Sequence, residues 1–209
     1  MTILDKIPDG EITLGPNIKI NDPIIFNVCL AACAEPTNMK SISRYWLEYI
    51  HIDAEHMRIT GSNGSMMVSA EAVDFSGWDG PHSLLIRPER PLPAGAKSVV
   101  IHKNQPYITG IDGYGRGFSI PYLSAVAQYP DVSPLIDSIH DDNSLLLDRV
   151  SFDQRYLMKL LAALNITTCW PVIRPYRINN GNPEAVGYDI NFNHLGIDSH
   201  YTAIIMAVD

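Results

Sequence analysis

Apolar and polar residues alternate through His56-Met57-Arg58-Ile59-Thr60, the period-two signature of a strand with one buried face. Asp53-Ala54-Glu55 predicts a turn before it. Ser62-Asn63-Gly64-Ser65 predicts a stronger one after it, because Asn-Gly accepts the positive φ that tight hairpin turns require. Met66-Met67-Val68-Ser69 then runs back as the next strand, so residues 45–71 are expected to hold two successive β-hairpins.

The same reading extends along the chain. Glu11 to Ile20 alternates around Gly15-Pro16 and predicts a strand or two. Asp22-Pro23 is a helix start, with Asp22 as N-cap and proline at the first helical position. Ile25, Val28, Cys29 and Ala32 then share one face, and Glu35-Pro36 is the expected end. Asp74 to Pro81 is a Gly/Asp loop. His82–Ile86 is a strand, Pro88 to Gly95 prohibits a regular helix, and Lys97–Lys103 with Gln105–Ile111 predicts a hairpin. Gly117–Tyr122 is another strand, and Gln128–Pro134 reads as a connector. Ser151 is placed to cap a helix through Leu164, with Phe152, Tyr156, Leu157, Leu160, Leu161 and Leu164 as its apolar face. Strands follow at Val172–Ile178, Val186–Phe192 and Thr202–Val208.

Composition sharpens this picture. With 46% hydrophobic residues the 209-residue chain can bury a real core, while 15 prolines and 14 glycines favour a turn-rich, strand-rich fold over a helical bundle. The net charge of −8 argues against a module that wraps phosphates tightly, but it leaves room for a partner that encircles the duplex with weak contacts. Cys29, Cys33 and Cys169 are an odd number without metal-type pairing, which fits a reduced intracellular protein. The N-terminus lacks the apolar core of a signal peptide and no apolar run reaches membrane-spanning length, so a cytoplasmic protein without a membrane partner is expected.

Candidate chemistry is sparse. A hairpin puts His51 and His56 on different strands, where solvent-facing histidines are the simpler reading. His140-Asp141-Asp142 and His194 with Asp198 and His200 lack metal-site spacing. Gly113-Tyr114-Gly115-Arg116-Gly117 leads from no strand into a helix and has no P-loop lysine, so it reads as a hairpin tip. No nucleophile elbow is present and the cysteines have no evident base partner. The expectation is a non-enzyme without cofactor or metal.

Three segments together resemble bacterial DNA sliding clamps. Arg58-Ile59-Thr60-Gly61-Ser62-Asn63-Gly64-Ser65-Met66-Met67-Val68 is similar to a clamp strand–turn–strand, in which Thr-Asp-Gly commonly occupies the turn. His82–Pro88 through Lys97–Ile101 to Gln128-Tyr129-Pro130-Asp131 resembles the second half of a clamp domain with its Tyr/Phe-Pro-Asp connector. Val150–Leu164 resembles the last helix, and Ile204-Ile205-Met206-Ala207-Val208 the closing Val-Met-Pro-Met strand. The resemblance covers most of residues 20–209 and rests on the order of the segments.

It implies an α+β, DNA-clamp-like fold of antiparallel sheets with few helices, near 23–35 and 151–164. Residues 1–135 would form a clamp-like domain in which Pro88 to Gly95 stands where the family has a second helix. Residues 136–209 would be a truncated second domain or part of the same sheet. Function follows as DNA-replication processivity: a ring around duplex DNA, built as a homo-oligomer (trimer or dimer), that tethers DNA polymerase or other replication proteins through short peptide motifs. The resemblance places the peptide pocket at Ser62, Gly64 and Met67 with Ile204 and Met206, and DNA-facing cations at Arg155 and Lys159. Core packing also accounts for Met67 and Met206, and an exposed helix face for Arg155 and Lys159. The alternative is a β-rich structural or interaction protein of phage or mobile-element origin with no DNA role.

Overall fold

The computed structural model describes residues 17–36, 45–71, 73–74, 83–102, 105–140, 145–146, 154–164, 172–177, 185–191 and 200–206. The N-terminal part comprises β1 (Asn17–Ile20), α1 (Pro23–Ala32), a single 3-10 turn (Tyr45–Glu48), β2 (Ile50–Asp53), β3 (Arg58–Ser62), β4 (Met66–Glu71) and β5 (Val73–Asp74). The middle holds β6 (Ser83–Pro88), β7 (Lys97–His102), β8 (Tyr107–Ile111) and β9 (Gly117–Ala125). Then come α2 (Ser133–His140), β10 (Leu145–Leu146), α3 (Gln154–Leu164), β11 (Val172–Arg177), β12 (Ala185–Asn191) and β13 (His200–Met206). Every strand pairing among the described residues is antiparallel.

The strands run β10-β11-β12-β13-β4-β3-β2-β6-β9-β8-β7-β1-β5. The first nine form one sheet and β9 carries the path into the second. Its residues Tyr122–Ala125 pair with β6, whereas Gly117–Pro121 pair with β8. Sheet closure brings distant segments together: β13 pairs with β4 from Tyr201↔Ala70 to Ile205↔Met66, so the C-terminal strands continue the sheet of residues 50–71.

Both sheets feed one core. In the second sheet Ile18, Ile101, Ile108 and Ile120 stand in one cross-strand row, all fully buried. In the first, Ile50, Ile52, Ile59, Met66, Val68 and Ala70 join the same core as α1. β-branched side chains suit the pleated surface, and each buried isoleucine contributes about 1.5–3 kcal/mol. Helices α1 and α3 pack side by side, with Leu160 of α3 in the core beside the α1 residues.

Local chemistry sets α1. The Asp22 carboxylate accepts the Ile24 and Ile25 N–H groups and Pro23 occupies the first helical position. Cys29 sits against the sheet, its thiol 3.7 Å from both the Ile59 and Val68 carbonyls. Gly61 makes that approach feasible: a Cβ there would lie 1.8 Å from the Cys29 carbonyl oxygen. The proline-rich segment after β6 is not helical, but it is anchored. Leu92 enters the core, and the Asn27 side chain of α1 both accepts from its N–H (2.8 Å) and donates to its carbonyl (3.0 Å).

Several boundaries differ from the sequence pattern. The first helix ends at Ala32 rather than near Glu35. Cys33 turns extended (φ −63, ψ 155) and its N–H returns to Cys29 and Leu30, while Ala34 N–H bonds the Leu47 carbonyl. His56 and Met57 belong to the β2–β3 turn, not to a strand: the Asp53 carboxylate accepts from the Glu55 and His56 N–H groups, and Met57 has φ 49. Residues 45–48 form the 3-10 turn in place of a strand. The connector stops at Val132, because Ser133-Pro134 begins α2 with Asp131 accepting the Ser133 N–H. The strands expected at 172–178, 186–192 and 202–208 correspond to β11, β12 and β13. Gly15-Pro16, Asp141-Asp142, Ser151, Phe152, Cys169, His194, Asp198 and Val208 lie outside the described residues, as does most of the 74–81 loop.

Gly61→Ala is expected to destabilise the protein by about 1–3 kcal/mol or more, because the clash is with helix backbone and no side chain can yield. Asp22→Ala should cost about 1 kcal/mol through loss of the cap. Urea unfolding of both variants checks the order: Gly61→Ala must show the larger loss.

Candidate functional site

Helices α1 and α3 pack on one side of the nine-stranded sheet, and the opposite side is its outer side. Residues directly opposite one another on neighbouring antiparallel strands belong to one cross-strand row. The register sets Ser62 of β3 against Met67 of β4, and Met67 against Ile204 of β13. Three of the positions implied by the clamp resemblance therefore form one continuous row across three strands, although they are up to 142 residues apart in sequence (204 − 62). Met206 stands two residues further along β13, opposite Ala185.

The β3–β4 members have definable local roles. The Ser62 hydroxyl donates to the Met66 carbonyl (2.9 Å) and accepts from Gly64 N–H (3.1 Å), and the Asn63 side chain accepts from Ser65 and Met66. Gly64 has φ +90 and its vacant Cβ position would meet Leu47 at 3.5 Å. Ser62 and Gly64 thus build the turn. Met67 is 6% exposed but does not belong to the core cluster, and the same holds for Leu47, Leu85, Tyr129 and Ile136. Of these, Met67 and Leu85 by register and Tyr129 by its stack on His51 lie on the outer side, distinct from the core beneath α1.

A second constellation lies one row away, where sequence reasoning placed solvent-facing histidines. His51 is buried instead. Its ring stacks on Tyr129 (centroids 4.3 Å apart, 13° between planes), and Trp46 meets Tyr129 edge-on at 5.0 Å. His51 Nε2 shares a hydrogen bond with Ser83 Oγ at 2.9 Å. Burial lowers its pKa from 6.5 to about 4, with Asp53 pulling in the other direction. His51, Thr60 and Ser69 are consecutive in register, and Thr60 and Ser69 share a buried 2.8 Å hydrogen bond. His56, in the turn, bonds Asp53 at 2.7 Å, and that carboxylate raises its pKa. The signal for this cluster was a large aromatic in a connector, Tyr129, which has no reason to stay exposed.

The basic candidates lie on the helix side. Arg155 is exposed; Lys159 is half-buried and lines a cavity of about 320 Å³ together with Cys33, Glu35, Glu48 and Arg87. Arg87 and Glu48 form an ion pair there at 3.0 Å. Burial raises the Cys29 thiol well above its usual range and pushes Cys33 up to about 12, so both are neutral, inert thiols. Gly113–Arg116 is the β8–β9 hairpin tip, closed by Asp112, which accepts from Tyr114 N–H, Arg116 N–H and the Arg116 guanidinium. Among the described residues no His, Cys, Asp and Glu group is arranged to hold a metal ion, and no helix is long and apolar enough to cross a membrane.

No known protein-family profile matches the chain, and no curated protein sequence does. Solved structures do match. The Helicobacter pylori beta clamp bound to a DNA ligase peptide superposes with a TM-score of 0.52 at 11% identity, over 100% of this chain and 70% of that one. The same clamp in complex with 3,4-difluorobenzamide gives 0.52 at 12% identity, over 97% and 68%. The DNA polymerase sliding clamp from Bacillus subtilis gives 0.50 at 10% identity, over 99% and 67%. At these identities the similarity is one of fold: antiparallel sheets backed by a few paired helices, as in bacterial sliding clamps.

Proposed function

We propose that this chain is a sliding-clamp-like, non-enzymatic accessory factor of DNA replication, which receives short partner peptides on the outer face of its nine-stranded sheet. The observation that carries the reading is the row Ser62–Met67–Ile204, assembled by the β4–β13 pairing within a clamp-like fold. A methionine in such a row suits a surface that accepts varied apolar side chains. The Helicobacter pylori clamp is bound to a DNA ligase peptide, and a peptide of that kind is the proposed ligand class here. Met206 and the Gly64 turn would flank the row.

The same pairing supports treating 136–209 as part of one sheet with residues 50–71, not as a separable second domain. Assembly into a ring, as a trimer or dimer, is the proposed route to DNA, with Arg155 and Lys159 on the helix side as the duplex-facing cations. With only those two positions and a net charge of −8, contact with phosphates is weak and retention is topological. The acidic charge also favours a second reading, an interaction protein without a DNA role.

The test is binding of a fluorescently labelled DNA ligase peptide, followed by anisotropy, with light scattering on the same full-length protein. Peptide binding in the micromolar range, weakened about tenfold by Met67→Ala and retained by Met67→Leu, is expected, together with an oligomer. Circular dichroism of each variant separates lost binding from lost folding. A strict monomer at high concentration that binds no peptide sinks the proposal. Peptide binding without retention on a circular DNA selects the second reading.

A further inference from the structure

Residues 126–132 leave β9 without regular hydrogen-bonded structure and reach α2 across the outer face of the sheet. Between this segment and the strands lies a cavity of about 530 Å³, lined by His51, Asp53, Thr60 and Ser83 of the sheet and by Tyr129 and Asp131. The segment is held at few points. Tyr129 stacks on His51 and meets Trp46, the Tyr45 hydroxyl donates to the Val126 carbonyl at 2.9 Å, and Arg58 Nη1 donates to Ser133 Oγ at 3.2 Å. Two features oppose closure. The Tyr129 hydroxyl is buried with no hydrogen-bond partner among the described residues, which costs free energy. Val126 is fully exposed although apolar.

We propose that residues 126–132 form a strap, closed by the neutral His51 imidazole packed against Tyr129 and released when His51 takes up a proton. The charged and titratable groups around His51 are Asp53 on β2, Arg58 on β3, Glu55 and His56 on the intervening turn and Asp131 on the strap, with Ser83 of β6 as its hydrogen-bond partner. Burial pushes the Asp53 carboxyl up, but hydrogen bonds from His56 and Glu55 outweigh this and leave it below its ordinary value. The Ser133 backbone N–H lowers Asp131, and Asp53 raises His56. Each of these three shifts favours the charged form of its group, whereas burial favours the neutral form of His51.

The sign follows from burial. In the closed strap His51 titrates near 4, against 6.5 for a solvated imidazole. Closure is therefore fully favoured above pH 6.5 and weakens as the pH falls toward 4, by on the order of a hundredfold in the open-to-closed ratio. Release uncovers the His51–Thr60–Ser69 row beside Met67, on the outer side of the sheet. This latch is independent of whether a peptide binds there.

The experiment is NMR of the full chain with ¹³C-labelled tyrosine rings and isoleucine methyls. At pH 7.5 the Tyr129 ring signals should be displaced by the His51 and Trp46 rings. They should move to unstacked positions between pH 6.5 and 4, with the same midpoint as the His51 ring, while the Ile18, Ile101, Ile108 and Ile120 methyls stay native. In His51→Phe, which keeps a neutral aromatic, the displacement should persist through that range. Tyr129 signals that hold until global unfolding overturn the proposal, as does an identical transition in His51→Phe. Should that variant not fold, differing His51 and Tyr129 midpoints in the unaltered protein overturn it equally.

Discussion

The pairing of β4 with β13 is the interaction on which the rest of the structure depends. Five register pairs, from Tyr201↔Ala70 to Ile205↔Met66, join strands separated by well over a hundred residues. Because side chains alternate, the register of β4 decides two things at once. It aligns Met66, Val68 and Ala70 with the core, and it puts Met67 and Ser69 on the outer side. A slip of one residue would exchange these sets. The same pairing allows α3 to lie beside α1, where Leu160 completes the core that α1 alone would leave open. A contact so distant in sequence closes a long loop before it gains any burial, which makes it an expected late step in folding.

That constraint is served by a second, local one at Gly61. The helix α1 can approach the sheet only because β3 carries no side chain where the Cys29 carbonyl passes. Cys29, small and apolar, fits the remaining space, with its weak S–H donor placed near two strand carbonyls. Close helix–sheet contact then fixes the height of β3 and β4, and with it the position of the Asn63-Gly64 turn against Leu47. The turn chemistry of Ser62 and Asn63 is therefore part of the same arrangement and not only a local hairpin signal.

Much of this was legible in the chain. Period-two alternation and Asn-Gly located β3 and β4, Asp22-Pro23 located α1, and the prolines after Pro88 correctly denied a helix. What pattern could not supply was anything set by tertiary contact. His51 sits in a strand that gives no hint of burial, since its cover, Tyr129, arrives from 78 residues away (129 − 51). His56-Met57 continued an alternating pattern, yet the Asp53 carboxylate captured the backbone and made a turn. α2 was hidden in a Pro-containing segment, although Ser133-Pro134 after an aspartate is itself a helix-start pattern. Of the candidate site, the residue types were visible but the row Ser62–Met67–Ile204 was not, because only the register of three strands creates it.

The outer face also explains why burial and availability part company at Met67. Met67 is 6% exposed and lies outside the main core, on the face of β4 opposite Met66 and Val68. On that side Tyr129 of the strap lies against His51 and Trp46 and is attached to the sheet through an irregular segment. Such attachments open at lower free-energy cost than strands in a continuous ladder, since they bury less and break fewer backbone bonds. A partner that binds this face would therefore exchange one apolar cover for another. The net gain is the difference between the two covers, not the full burial of Met67, so the affinity of such an exchange is modest.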